Sequence, residues 1–178
     1  MSVTKYKIFA FTFAAFFAGI TEVTHVAFEA VEPQSESIEE VARAKAVQAY
    51  AALKRPLIID DTGLFIEELN GFPGPYAAYV QDTLGNAAVL RLMQGVENRR
   101  AYFSTVIAYA DESGIRTFEG RVGGEITDAP RGDAGFGYDP IFSVGEKTLS
   151  EMSMREKNMI SHRARALAKF RAWYLSSR

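Results

Sequence analysis

Apolar runs bounded by turn residues mark the predicted strands. Such runs are typical of strands that are buried on one or both faces. They occupy residues 7–12, 20–28, 56–60, 101–110 and 116–126. The last two are separated by the turn sequence DESG, which predicts that they are neighbouring strands.

Helices are predicted where apolar residues recur at a spacing of about 3.6 and where capping residues precede that pattern. The predicted helical segments are 38–53, 86–95 and the region from 154 onward. The capping signatures are Ser37 with Glu40, Ser153 with Glu156, and Ser161 alone. Because strands and helices alternate without a strict order, the pattern predicts an α/β fold with a mixed sheet.

The length and composition indicate one domain. With 178 residues, of which 48% are hydrophobic, the chain can bury one sizeable core, so we expect a single domain over residues 1–178. The formal net charge of -2 provides no basic field for a nucleic-acid polymer or a membrane surface. The absence of cysteine excludes disulfides, zinc-thiolate sites and thiol nucleophiles, and is consistent with a cytoplasmic protein.

The N-terminal sequence KYKIFAFTFAAFFAG, residues 5–19, is open to two interpretations. Its lysines, apolar run and small residues are typical of a secretory signal, although the run is too short to span a bilayer. The alternative is a buried first strand at residues 7–12, which we favour because no A-x-A cleavage site follows Phe17 at the expected place.

A lysine interrupts the apolar stripe of the first predicted helix. The stripe consists of Ile38, Val41, Ala42, Lys45, Ala49 and Ala52. Lys45 either lays its aliphatic stem along the core and keeps its ammonium in water, or it meets an anion beside the helix. The second hypothesis is the more specific one, and it predicts a multiply charged ligand beside the helix.

Carboxylates give a reason for such a ligand. Asp60 and Asp61 are predicted to end the strand PLIID, and Glu32 precedes the capped helix. Magnesium takes one or two protein carboxylates and completes its shell with water and phosphate. Taken by itself, the aspartate pair is explained by a solvated turn at a strand end. Because Lys45 and Lys157 could neutralise phosphate oxygens, we favour a magnesium–polyphosphate site. The P-loop, dinucleotide and G-x-S-x-G motifs are not matched by the sequence.

Two further segments suggest a pocket for a nucleobase. Ser161, as a helix cap, places His162 and Arg163 in the first turn, beside free backbone amides. A structural arginine there would oppose the helix dipole, so we favour ligand binding by Arg163. In GFGYD, Phe136 and Tyr138 lie on a glycine-rich loop and offer rings for stacking, although aromatic residues in loops are usually just packed.

Three segments together resemble the inosine triphosphate pyrophosphatases. They are RPLIIDDTGLFIEELNGFPGPYAAYV, GFGYDPIF and EMSMREKNMISHRARAL, and the similarity extends from about residue 20 to the C-terminus. The resemblance implies an elongated mixed sheet flanked by helices, with a nucleotide cleft between two lobes, and a homodimer. It also implies magnesium-dependent hydrolysis of ITP, dITP and XTP to the nucleoside monophosphate and pyrophosphate.

The resemblance also implies roles for individual residues. Asp61 would be the proton acceptor and a magnesium ligand, Glu32 the other metal ligand, and Asp60 a close neighbour. The implied substrate-binding residues are Thr12 in the first loop, Thr62 and Gly63 after the aspartates, Lys45 and Lys157 at the phosphates, and Phe136, Gly137, Tyr138, Asp139, His162 and Arg163 at the base.

One part of the family pattern is missing. The family has a loop of the form [ST]-x-N-x-x-K after its first strand, whereas this chain retains Thr12 and has Ala14 and Phe17 in place of the Asn and Lys. The departure predicts weaker binding of the triphosphate. The alternative function is therefore a nucleotide-binding protein of the same fold with impaired catalysis, and a third is a secreted protein of unrelated role.

Overall fold

The structure, a computed structural model, describes residues 5–12 and 25–31 as backbone strands and residues 33–177 with their side chains. The strands are β1 (Lys5–Thr12), β2 (His25–Val31), β3 (Leu57–Ile66), β4 (Pro73–Gly74), β5 (Arg100–Asp111), β6 (Gly114–Ile126), β7 (Phe142–Val144) and β8 (Lys147–Thr148). The helices are α1 (Ile38–Leu53), α2 (Ala77–Thr83), α3 (Gly85–Leu92), α4 (Met154–Ile160) and α5 (His162–Ser176).

The strands form one sheet in the order β2-β1-β3-β5-β6-β7-β8, and β4 pairs with β3 beside this path. The predicted α/β fold with helices against an elongated sheet is confirmed. One detail differs from the expected mixed sheet, because every pairing between the described strands is antiparallel. The turn DESG joins β5 to β6 as predicted, with Asp111 opposite Gly114.

Strand β3 does not end at the aspartates. It runs on to Ile66, so Asp60 and Asp61 lie in the middle of the strand, and the prediction that they end it is wrong. The strand continues because β5 pairs with it over its whole length, from Leu57 opposite Ala110 to Ile66 opposite Ala101. The short apolar run PLIID is thus only the first half of a longer strand.

Three apolar clusters divide the sheet into two lobes. In one lobe, α1 packs on one face of β3 and β5 through residues such as Ala42 and Ile59, and α5 packs on the opposite face through Phe170 and Tyr109. In the other lobe, α2 and α3 pack against Leu64, Ile66, Phe103 and their neighbours. The central strands β3, β5 and β6 run through both lobes.

The two lobes separate along one edge of β3. Strand β1 pairs with Leu57 and Ile58, and β4 pairs with Leu64 and Phe65. Among the described strands, nothing pairs with residues 59–63 on that edge, while β5 holds the opposite edge. This open stretch contains both aspartates, and a ligand lying against it can reach both faces of the sheet.

The helix signals are largely confirmed. Ser153 and Glu156 form the complete capping box of α4, and Ser161 caps α5 as predicted. At α1, Ser37 accepts from the backbone of Glu40, but the Glu40 carboxylate accepts from Ser35 Oγ at 2.6 Å, so the predicted box is only half formed.

Two helix details differ from the sequence prediction. Ala46 is buried in the apolar stripe of α1, whereas Ala52 is exposed. Helix α3 ends at Leu92 rather than at Gly95. Within the part of the chain that the structure describes, no helix has the length and apolar character needed to cross a membrane.

Candidate active site

Two neighbouring aspartates point to opposite faces of the sheet. Because side chains alternate along a strand, Asp61 shares a face with Leu57 and Ile59 under α1, and Asp60 faces α5. Each meets a cation from the helix on its own face. The two aspartates therefore belong to two different ion pairs, one on each face of the sheet.

On the α1 face, Lys45 Nζ donates to Asp61 Oδ1 at 2.6 Å. Their side chains are only 9% and 15% exposed. The hypothesis that the Lys45 ammonium lies in water is therefore wrong, and the anion beside the helix is in this structure the carboxylate of Asp61. A buried pair of this kind places a negatively charged oxygen and an ammonium side by side next to the open edge of β3.

On the α5 face, Arg163 Nε donates to Asp60 Oδ2 at 2.8 Å. Arg163 is largely exposed, whereas Asp60 is about half-buried by its neighbours. This contact explains why an arginine is tolerated in the first turn of α5, since the carboxylate of Asp60 offsets its unfavourable position in the helix dipole.

His162 is joined to β3 through β5. Its Nδ1 lies 2.6 Å from Thr105 Oγ1, and that hydroxyl lies 2.7 Å from Thr62 Oγ1. The ring stacks on Phe103 with 5.2 Å between centroids. Burial and, to a smaller extent, the charge of Arg163 together lower the pKa of His162 to about 4, against the opposing effect of Asp139 and Asp60. The imidazole is accordingly neutral at neutral pH.

The glycine-rich loop 135–139 forms a platform beside α4. Asp139 is buried, and its Oδ2 accepts from the backbone N of Phe136 at 2.9 Å and from Lys157 Nζ at 2.6 Å. Lys157 also lies 5.6 Å from the ring centroid of Phe136, which is 79% exposed. Gly135 has a φ of +89°, and a Cβ there would collide with the Asp139 carboxylate, so only glycine suits this turn.

Only one of the two predicted loop aromatics is available for stacking. Phe136 is exposed, but Tyr138 is buried and its hydroxyl donates to the carbonyl of Ala77 at 2.8 Å. Burial and the charge of Asp82 raise the pKa of Tyr138. Tyr138 fixes the loop to α2, and its ring is not a stacking surface; packing is the reason for this aromatic residue.

The structure places the remaining predicted residues as follows. Lys157 lies with the base-loop residues Asp139 and Phe136, although the resemblance implied a position at the phosphates. Close packing against β4 explains the glycine at position 63, because a Cβ there would lie 2.6 Å from the carbonyl oxygen of Gly74. Glu32 lies outside the described residues, and Thr12 is described only as the last backbone position of β1.

Two residues near the site were not found by sequence reasoning. Thr105 is fully buried between Thr62 and His162, and Asn86 donates from Nδ2 to the carbonyl of Gly137 at 3.0 Å. Neither belongs to a recognisable motif. Their contacts depend on strand register and on the position of α3, and no local sequence signal reports these.

Comparison with known proteins identifies the family. The sequence model of the Ham1 family matches residues 5–173. The chain belongs to the Ham1 family. The resemblance noted in its sequence is confirmed by this match.

Ham1 relatives match this chain over most of their length. A dITP/XTP pyrophosphatase from Hyperthermus butylicus is 51% identical over 145 residues, which are 80% of this chain and 76% of the relative. A dITP/XTP pyrophosphatase from Saccharolobus solfataricus is 49% identical over 151 residues, covering 84% and 79% of the two chains. The solved Ham1 protein of Staphylococcus aureus has a TM-score of 0.80 and 36% identity, covering 85% of this chain and 82% of that one.

Proposed function

We propose that this protein hydrolyses dITP, XTP and ITP to the nucleoside monophosphate and pyrophosphate. The names of the two archaeal relatives support this substrate class. The observation that carries the proposal is the arrangement at the open edge of β3, where Asp61 with Lys45 lies on one face and Asp60 with Arg163 lies on the other. We propose that a nucleotide lying across that edge places its phosphates beside Asp61 and Lys45 on one face and its base beside Arg163 on the other.

At the phosphate end, the reaction is attack of water on the α-phosphorus. The bond from that phosphorus to the bridging oxygen breaks, and pyrophosphate leaves. Asp61 accepts the proton of the attacking water, the role of a general base. Lys45, already 2.6 Å from Asp61, offers its ammonium to the phosphate oxygens. Its burial strengthens this attraction compared with a lysine in water.

Magnesium is the cofactor that the donor set suits. The carboxylate of Asp61 supplies the hard oxygen ligands that magnesium prefers, and Glu32 is proposed as the second protein ligand. When bound, magnesium would polarise phosphoryl oxygens and favour ionisation of a coordinated water. Asp61 would then hold the cation while Lys45 turns towards the phosphates.

At the base end, Phe136 and the first turn of α5 are proposed to hold the purine. The exposed ring of Phe136 offers a stacking surface, and such stacking contributes about 1 to 3 kcal/mol per base. Arg163 and His162 supply hydrogen-bond donors. Hypoxanthine and xanthine present an oxygen acceptor at position 6, whereas adenine presents an amino group there, so donors favour the deaminated bases.

We also propose that the protein acts as a homodimer in the cytoplasm, as the resemblance implies. Several large apolar side chains are exposed on and around α2 and α3, namely Tyr76, Tyr79, Leu84 and Leu92. Exposed large apolar side chains that form a patch are typical of an association surface. Light scattering after gel filtration tests the dimer: one mass near that of a single chain would contradict it.

One experiment decides the main proposal. The protein is incubated with ITP and magnesium, and the products are identified by phosphorus NMR. We expect IMP and pyrophosphate in equal amounts. IDP with orthophosphate would contradict the proposed attack at the α-phosphorus. Binding of ITP in calorimetry without any product would instead favour the alternative of a nucleotide-binding protein with impaired catalysis.

A further inference from the structure

A chain of three polar side chains connects different elements on the α5 face of the sheet. Thr62 lies on β3, Thr105 on the neighbouring β5, and His162 at the start of α5. The hydroxyl of Thr105 is 2.7 Å from that of Thr62 and 2.6 Å from His162 Nδ1. Thr105 has no exposed surface, so water does not replace either contact.

A missing side chain on β6 makes this approach possible. Gly120 lies opposite Thr105 in the sheet, and a Cβ at Gly120 would collide with the backbone carbonyl of His162. With hydrogen alone at that position, the first turn of α5 lies directly against the sheet. His162 therefore comes within hydrogen-bond distance of Thr105, while Phe103 packs against its ring.

The number of protons shared by Thr62, Thr105 and His162 restricts the tautomer of the imidazole. A threonine hydroxyl donates one hydrogen bond and can also accept. The pKa of His162 is lowered to about 4, so at neutral pH the ring carries one N–H. If Thr105 donates to Nδ1 and accepts from Thr62, that N–H must be on Nε2.

We propose that Thr105 is a positioning residue which fixes the tautomer and orientation of His162, so that Nε2–H is presented as a donor to the purine. This inference rests on the proposed function and names the element that selects the base. If instead Nδ1–H donated to Thr105 and Thr105 donated to Thr62, Nε2 would be an acceptor, which suits an amino group such as that of adenine. Donation from Thr62 to Thr105 and from Thr105 to Nδ1 leaves Nε2–H as a donor, which suits the oxygen of a 6-oxo purine.

His162 lies at the base end of the proposed site. It is adjacent in sequence to Arg163, whose Nε donates to Asp60, and the charges of Asp139 and Asp60 both act on the imidazole. Thr105 itself is fully buried, and its hydroxyl lies 2.6 Å from His162 Nδ1. It acts on the base through His162 and has no contact of its own with the substrate.

The test uses Thr105→Val, which keeps the shape and removes the hydroxyl, and Thr105→Ser, which keeps the hydroxyl. Thr148→Val is the matched control, because Thr148 is another fully buried strand threonine whose hydroxyl donates elsewhere, to the carbonyl of Arg131. The chain has two histidines, so nitrogen-15 signals are assigned with one His162→Gln variant. Thermal unfolding shows that each variant is folded.

We expect the free wild-type protein and Thr148→Val to show a protonated Nε2 and an unprotonated Nδ1 at His162. Thr105→Val should show mixed tautomers and lower the ITP over ATP ratio of kcat/KM by about tenfold, and Thr105→Ser should restore both. A wild-type signal with the proton on Nδ1, or an unchanged tautomer and ratio in Thr105→Val, would overturn the proposal.

The NMR measurement also separates this inference from the proposed function. It uses the free protein and needs no turnover. A wild type without pyrophosphatase activity would contradict the proposed function, while its His162 tautomer would still decide whether Thr105 has the positioning role. If Thr105→Val is too unstable to study, Thr105→Ala removes the same hydroxyl without adding bulk, and a tautomer unchanged from that of the wild type would overturn the positioning role.

Discussion

Lys45 Nζ lies 2.6 Å from Asp61 Oδ1, and both side chains are largely buried beneath α1. A buried ion pair adds little net stability, because desolvation of the two charges offsets most of their attraction. Its value here is chemical. It holds an ammonium and a carboxylate at the edge of β3 where the triphosphate and its cation are proposed to bind.

We expect Asp61→Asn to lower kcat on ITP by roughly 10² to 10⁴, the usual contribution of a general base. Asp60→Asn is the matched control on the adjacent residue and the opposite face, and it should reduce kcat less. Steady-state kinetics with quantified pyrophosphate provide the measurement. Equal kcat in Asp61→Asn and the wild type would remove Asp61 from the mechanism.

Removal of metal should abolish turnover. Without a cation the carboxylate of Asp61 repels the phosphates it is proposed to serve, so EDTA should reduce activity to the background rate. Added magnesium should restore it. Full activity in EDTA, after the metal content of the sample has been shown by elemental analysis to be negligible, would contradict the magnesium proposal.

Arg163→Ala should lower kcat/KM for ITP and reduce the ITP over ATP ratio, because a lost donor to a 6-oxo group costs about 1 to 3 kcal/mol. Arg163→Lys keeps the charge and loses the planar donors, so it separates charge from hydrogen-bond geometry. Competition between ITP and ATP in one reaction measures the ratio. If the ratio is the same in all three proteins, selection of the base lies elsewhere.

Stability should fall as the pH decreases from about 6.5 to about 4, in part through His162. Its pKa is lowered from 6.5 to about 4 in the folded protein, so in this window the unfolded chain binds a proton that the native state does not. The contribution is fully present above pH 6.5. Urea unfolding across this range, compared with His162→Gln, isolates it, and parallel pH curves for the two proteins would disprove it.

The altered first loop should raise KM for ITP. The family pattern has an Asn and a Lys where this chain has Ala14 and Phe17, and loss of a charge-assisted contact costs about 1.5 to 3 kcal/mol, or roughly 10- to 150-fold. The double change Ala14→Asn with Phe17→Lys should therefore lower KM. Ala15→Asn with Phe16→Lys adds the same groups at shifted positions and should not. Equal KM values in all three proteins would show that this loop is dispensable.

Much of the fold could be predicted because its signals are local. The capping box of Ser153 and Glu156 concerns four consecutive positions, and the buried lysine of α1 follows from a helical period that the neighbouring residues define. The hairpin of β5 and β6 follows from one turn between two apolar runs. In each of these cases the structure depends on contacts between residues close in sequence, so the local sequence is enough to predict it.

The sequence by itself identified the candidate site residues: the aspartate pair, Lys45, the glycine-rich loop and the SHR segment. The tertiary structure alone decided what each one meets. Continuation of β3 past Asp61 depends on pairing with β5, about forty residues away, and the burial of Tyr138 depends on its hydrogen bond to α2. The contact between Thr105 and His162 needs β5, β6 and α5 to be assembled. Such contacts join distant parts of the chain, and their energies exist only once the sheet has formed.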